Sequence, residues 1–402
     1  MNISSFAEAF VPLLKKNKLE AKREDEEKYN ILMVSLFKDL LEGEKYVQRC
    51  SISSEEVDSK IQEKIHLTNN SRFFPKAIRK YIQDTPSKVF TYNCKIKDRE
   101  NRINFYTFDN VIEFDKYVKI MYIWLYVCDK YAQKKCAKEM NINIYLTPFK
   151  KTLPLSKTTI ISAEHVNTAF TYCCAPEGEI TIFRAEEWFK VFLHESFHAY
   201  NLDFGLAPDS TALRKVIESH FHVKSDFNAN EAYTETWARI INSALYSFCS
   251  LSGKDKKKET FLIYTDFCLQ LERLFSLYQM NKILRFMGLN YSDIYSPGAY
   301  LKHHLYKEDT HVFGYYVLPA LFLNDYKQFI QWCAVINTSV SAGSFMKFNC
   351  QKESFEKMGA YISKIYTDDT LLKTIDVIKI KINNPIYEMT TRMAIIDLND
   401  IV

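Results

Sequence analysis

The sequence predicts an α+β fold in which a small mixed sheet leads into a long run of helices. Short alternating, β-branched runs bounded by turn residues cluster between residues 86 and 184. Beyond residue 185 apolar side chains recur mostly at helical spacing. Glycine is scarce, 9 in 402 residues against 26 Tyr and 29 Phe, a composition that suits a compact, helix-rich core. With 47% of residues hydrophobic the chain can bury a large core, and its length suggests more than one part. We divide it into a helical N-terminal region, 1–85, a central part carrying the sheet, 86–250, and a mostly helical C-terminal subdomain, 251–402.

In the first part, charged runs such as Lys22–Lys28 alternate with the amphipathic stretch Tyr29–Leu41, whose Ile31, Val34, Leu36, Phe37, Leu40 and Leu41 fall near helical spacing. No chemistry is assigned to it. Val89–Cys94 and Ile103–Phe108 flank the turn-like Lys97–Asn101 and read as a hairpin. A long helix is expected over Val111–Met140, followed by a half-buried strand, Ile142–Leu146, stopped before Pro148. Val166–Tyr172 and Glu179–Arg184, around the turn Ala175–Gly178, form a second hairpin. Its second strand runs into a helix that Glu186 and Glu187 favour through the helix dipole and that Asn201–Gly205 ends, with Gly205 as the terminator before Pro208. Helices follow at about 209–222, 229–249, 259–287 and 311–334, with Gly253–Lys258 as a charged turn. Past residue 340 the signals mix, and Val377–Ile382 alternates as an edge strand would.

A net charge of +4 on 53 basic and 49 acidic residues is close to balance, which argues against nucleic acid as a partner. The longest uncharged apolar runs, Ile120–Cys128 and Val312–Leu323, fall short of the roughly 20 residues a membrane span needs. The first apolar stretch, Phe6–Leu14, is short and interrupted by Glu8, so secretion is not expected. Ten cysteines show no CxxC spacing, and the adjacent Cys173 and Cys174 are poorly placed to bond each other. They are expected to be reduced, mostly buried thiols in a cytoplasmic protein.

The densest chemical signal is His194-Glu195-Ser196-Phe197-His198, an HExxH run on the helix over 186–200. Imidazoles four residues apart share one helical face and can reach a single Zn²⁺, while the carboxylate beside the first can take a proton from a water on that ion. Chance yields the pattern in roughly one chain in a hundred of this composition. A catalytic zinc takes three protein ligands and keeps a fourth position for water, so a third ligand must come from elsewhere. Glu231, in Asn230-Glu231-Ala232-Tyr233-Thr234-Glu235, is the best candidate, with Glu218, His220 and His222 as rivals. Glu235, one turn after Glu231, can hydrogen-bond the far nitrogen of a ligand His.

HExxH followed by an NExxx(D/E) helix resembles the gluzincin metallopeptidases, whose thermolysin-like members carry the second motif as NEAxSD. The resemblance covers about residues 141–250. It implies a zincin-like domain with one zinc ion held by His194, His198 and Glu231, Glu195 as general base, and Glu235 in the place of the usual Asp. In its Lys, Asn, Ile and Tyr bias and its IFRxEEWFKVFxHExFH core, the chain is also similar to metalloprotease-like proteins of large double-stranded DNA viruses. That likeness implies an infected-cell cytoplasm or a virion, with capsid or virion proteins as partners. The metzincin pattern does not fit, because Asn201 and Phe204 stand where it needs Gly and His.

The expected function is zinc-dependent hydrolysis of peptide bonds in a protein or peptide substrate. The transition state needs a donor besides the metal, and His303, His304, His311, Tyr315 and Tyr316 are candidates. Asn167 and Ala169, on the strand before the second hairpin turn, are candidate substrate contacts, since an edge strand can pair with an extended peptide. The alternative is a virion structural or scaffold protein that keeps a zincin fold with a vestigial or structural metal site.

Overall fold

The computed structural model describes residues 5–17, 26–58, 72–108, 113–207, 209–337, 345–379 and 385–400. It is mixed α+β. Helices α1 (Ser5–Glu8), α2 (Val11–Asn17) and α3 (Glu26–Val47) open the chain, and α3 buries Tyr29, Met33, Leu36, Phe37 and Leu40 along one face. Part of the charged run Lys22–Lys28 lies outside the described residues. The N-terminal region is not helical throughout. Strand β1 (Ser53–Asp58) pairs antiparallel with β2 (Lys88–Ile96), although its polar sequence SSEEVD carries no strand signal; the open edge of β2 decides it. Helix α4 (Lys76–Asp84) lies between them.

The first hairpin, β2 with β3 (Arg99–Thr107), is as expected but turns on two residues, with Lys97 left-handed at φ 51°. Helix α5 (Asp115–Tyr131) stops well before Met140, and the expected start at Val111 lies outside the described residues. Glu139 and Met140 instead begin strand β4 (Glu139–Tyr145). The connection is pinned away from helix by Arg99, whose guanidinium takes the carbonyls of Gln133 and Cys136, and by Ala137 N–H donating to Ala175. Cys136 is disulfide-bonded to Cys174, so the expectation that every cysteine is reduced is corrected for this pair; the other eight are free.

Strand β5 (Ile161–Ser162) and helix α6 (Ala163–Val166) precede the second hairpin, β6 (Ala169–Thr171) with β7 (Glu177–Ile182). The main sheet runs β1-β2-β3-β4-β7-β6; β3, β4 and β7 are parallel, and β6 is an edge. Five residues after β7 comes α7 (Trp188–Ala199), every residue of which is buried, so the fold encloses it. It ends within the expected Asn201–Gly205 stretch, with Asn201 and not Gly205 as the terminator. Asn201 is left-handed (φ 53°), its N–H returns to His198, and the Leu202 N–H returns to Phe197, the paired bonds of a Schellman cap.

The helical part follows as α8 (Thr211–His220), α9 (Ala229–Cys249), α10 (Lys258–Phe286), α11 (Tyr291–Tyr295) and α12 (Tyr300–His303), then β8 (Glu308–Asp309), which pairs with β5. The stretch 311–334, expected as one helix, is a π-turn (Phe313–Val317), then α13 (Leu318–Asn324) and α14 (Tyr326–Asn337). Pro319 accounts for the first break, because it has no N–H to return to Tyr315 one turn back. Helices α15 (Lys352–Ile365), α16 (Asp369–Lys379) and α17 (Pro385–Met389) complete the chain. Val377–Lys379 are helical, not an edge strand: Leu371, Ile375 and Ile378 are buried at helical spacing. The rest of that stretch lies outside the described residues.

One apolar cluster runs from Ala7 to Leu398 and packs α7, α9 and α10 against the sheet and the C-terminal helices. The last segment threads this core. The Glu187 carboxylate accepts the N–H groups of Met393 and Ala394 and pairs with Lys151, while Glu272 Oε1 accepts those of Ile395 and Ile396 at 2.9 Å each. Glu186 accepts the Lys151 N–H. Both glutamates, at the start of α7, thus also pin neighbouring chain. Among the described residues no helix is long and apolar enough to cross a membrane.

Candidate metal centre

Helix α9 packs on α7 and brings its first turn over the two histidines. The cap residue Asn228 fixes that turn by accepting the Glu231 N–H through its side chain. His194 Nε2 lies 3.1 Å from Glu231 Oε2 and 3.2 Å from His198 Nε2, and His198 Nε2 lies 3.5 Å from the same carboxylate oxygen. A tetrahedral ion with bonds of about 2.0–2.1 Å holds its ligand atoms about 3.3 Å apart, so these three donors are spaced as three corners around one ion. Among the described residues this is the group of three able to hold a metal.

Each ring is steered from behind. His194 Nδ1 is 3.0 Å from Glu235 Oε2, and His198 Nδ1 meets Asp203. With Nε2 facing the shared point, each Nδ1 carries the proton that its carboxylate accepts, which fixes the tautomer that a metal needs. Glu235 is held by Lys190, 3.0 Å from both oxygens, and by Arg239 at 2.8 Å. Asp203 also receives Asn230 Nδ2 at 3.2 Å and Thr234 Oγ1 at 3.3 Å.

The charges follow from this packing. Burial works to raise the Glu231 and Glu235 carboxyls, but the facing His198 and His194 hold Glu231 well below the usual range, and Lys190 with Arg239 does the same for Glu235. Burial works to lower both imidazoles, and their carboxylates raise them nonetheless, His198 strongly. Glu195 behaves differently. It is 7% exposed, its carboxylate has no hydrogen-bond partner among the described residues, and burial raises its pKa. Such a group is suited to taking a proton.

Glu195, the three metal-facing residues, Tyr315 and His311 line one cavity of about 500 Å³. The Tyr315 ring stands 6.1 Å from that of His194 and 6.0 Å from that of His311. His311 Nδ1 lies 2.5 Å from Asp226, which with Glu231 raises its pKa against burial. The Tyr315 hydroxyl has no hydrogen-bond partner among the described residues.

The other donor candidates do not line the cavity. His303 faces Ser296 O and the ring of His222, His304 is exposed, and the Tyr316 hydroxyl donates to Thr391 O in the core. Asn167 and Ala169 do line it, but the Asn167 side chain accepts the Thr310 hydroxyl and its carbonyl takes Arg184. Ala169 offers edge-strand backbone on β6. The rival ligands are elsewhere: Glu218 pairs with Arg214, His220 bonds Ser363 and stacks on Tyr366, and His222 faces His303. Asp203, Asp226, Lys190 and Arg239 were not found by sequence reasoning. Lys190 and Arg239, each one turn from a motif residue, could have been flagged by helical spacing; Asp203 and Asp226 lie in loops with no period to reveal them.

No protein-family profile, curated protein or solved structure matches this chain.

Proposed function

We propose that the chain is a zinc-dependent metallopeptidase of the gluzincin type, on a zincin-like fold, hydrolysing peptide bonds in a protein or peptide substrate. The observation that carries this reading is the convergence of His194, His198 and Glu231 at tetrahedral spacing beside an unpartnered, buried Glu195. A structural metal site needs the first feature and has no use for the second. Two imidazoles and a carboxylate at tetrahedral spacing, with an open side, are a donor set that suits zinc.

When bound, zinc would supply Lewis acidity toward a water and the scissile carbonyl. Glu195 takes the proton of the attacking water and delivers it to the leaving amine, with no covalent intermediate. Glu235 and Asp203 keep both imidazoles in the ligating tautomer throughout. Tyr315 and His311, on the opposite wall, donate to the oxygen on which negative charge develops. The edge strand β6 offers backbone groups at Ala169–Thr171 for an extended peptide. The reading does not depend on compartment, and the Cys136–Cys174 bond removes the cysteines as support for a cytoplasmic one.

Peptide-library cleavage by the wild type and by Glu195→Gln tests it. The variant should keep its zinc and lose activity by about 10²–10⁴-fold. A zinc-loaded wild type that cleaves nothing in the library would overturn the reading in favour of a metal site serving assembly.

A further inference from the structure

Arg239 makes three contacts from one guanidinium. Nε donates to Glu235 Oε1 at 2.8 Å, Nη1 to Ser276 Oγ at 2.8 Å, and Nη2 to the Tyr315 carbonyl at 3.2 Å. The side chain is 1% exposed. Glu235 is the carboxylate behind His194, and Tyr315 is the aromatic side chain facing His194 across the cavity. A single planar fork therefore spans the back of the metal centre and the turn that forms its front wall.

That turn is built to be held in this way. Pro319 cannot return an N–H to the Tyr315 carbonyl, and the chain widens into the π-turn Phe313–Val317, closed by the Leu318 N–H on Phe313 O. Gly314 lets the widened turn seat on the glutamate helix: a Cβ there would stand 2.7 Å from Asn228 O and 3.2 Å from Glu231 Cβ. One side of the turn thus touches the cap that orders Glu231, and the carbonyl one residue on is clamped by the arginine that holds Glu235.

We propose that Arg239 and the π-turn at Gly314–Tyr315 form a positioning element that registers the Tyr315 phenol against the metal-holding helix pair. The inference rests on the hydrolase reading for its consequence in catalysis, but not for its geometry. Arg239 acts through Tyr315 and is a positioning residue. A lysine at 239 keeps the charge beside Glu235 and cannot also hold the Tyr315 carbonyl, because it lacks the fork.

The test is a double-substitution cycle on the zinc-loaded full chain, reading its affinity for acetohydroxamic acid, with kcat and KM on a peptide beside it. Arg239→Lys and Tyr315→Phe should each weaken the hydroxamate about fivefold or more, and the double variant should be no weaker than the worse single one. Zinc affinity by chelator competition should stay within about threefold, and kcat should fall about tenfold with KM nearly unchanged. Gly314→Ala, which pushes the same turn from its other side, should weaken the hydroxamate and lower kcat likewise and serves if Arg239→Lys does not fold; the threefold bound on zinc affinity does not extend to it, because its Cβ also presses Asn228 O and Glu231 Cβ. Additive losses, or an Arg239→Lys protein indistinguishable from wild type, would overturn the proposal. A wild type that binds the hydroxamate but cleaves no peptide removes the hydrolase reading alone, and the cycle still decides the clamp. A zinc-loaded wild type with no hydroxamate affinity overturns both.

Discussion

Lys190 Nζ sits 3.0 Å from both oxygens of Glu235, one helical turn before the histidine that the same carboxylate orients. Helix α7 therefore supplies the metal-facing ring and the cation that keeps its partner ionised, while α9 supplies the carboxylate and a second cation, Arg239. All these side chains are buried, so the partnership is enforced: removing the anion leaves two cations with a lost partner in the core. Glu235→Gln should lower zinc affinity by about 10–100-fold and stability by about 3 kcal/mol. Chelator competition and denaturant unfolding of the metal-free protein check the two effects separately. Adding Lys190→Met should recover part of the stability and none of the affinity.

Asp203 plays the matching part for His198 from the loop after α7, where Asn201 turns the chain back. Asp203→Asn should cost about tenfold in zinc affinity, measured in the same competition, because a neutral amide raises the basicity of the ring less. An unchanged affinity would remove Asp203 from the site.

For the proposed hydrolase, the His311–Asp226 pair predicts a basic limb in the pH–rate profile. Burial pulls the His311 pKa down, and the neighbouring carboxylates raise it above the ordinary imidazole value nonetheless; the donor form is the protonated one, so rate is lost as pH rises through the His311 pKa. Asp226→Asn removes the hydrogen-bonded charge and should move the limb to lower pH. The loss in kcat should reach about tenfold on the basic side of the limb and be much smaller on its acid side. A pH–rate profile whose basic limb ignores Asp226→Asn would exclude His311 as donor.

Glu272 predicts a stability change that involves no metal. Burial pushes its carboxyl up to about 7. The unfolded chain would titrate near 4.5, so the folded protein binds the extra proton between those values. Stability from this group is fully present below about 4.5, falls as pH climbs to about 7, and stays low above it. Glu272→Gln keeps an oxygen for the Ile395 and Ile396 N–H groups and removes the charge. It should stabilise the protein at pH 8 and flatten the pH 5–8 profile of denaturant midpoints.

The fold was legible where one element carried one period. Both hairpins, the β4 strand and helices α9 and α10 follow from alternation or from apolar residues at helical spacing, and the metal-facing residues follow from HExxH and from Glu231 at a helix start. Illegible features depend on partners distant in sequence. β1 is polar and exists because β2 has an open edge. The α5 end is set by Arg99 and Ala175, far along the chain. Among five donor candidates, Tyr315 reaches the cavity on a π-turn shaped by Pro319 and Gly314, which no periodicity encodes, and His311 is held there by Asp226. Glu187 read as a helix-start residue, yet it pairs with Lys151 and takes two N–H groups from residues more than two hundred positions away.

The most direct test of the centre is metal content in the purified full chain, measured by mass spectrometry after equilibration with a zinc buffer. The arrangement predicts one zinc per wild-type chain, kept by Glu195→Gln and lost by Glu231→Ala under the same buffer while the thermal melt of the metal-free protein is little changed. Zinc retained undiminished in Glu231→Ala, or absent from the wild type, would contradict it.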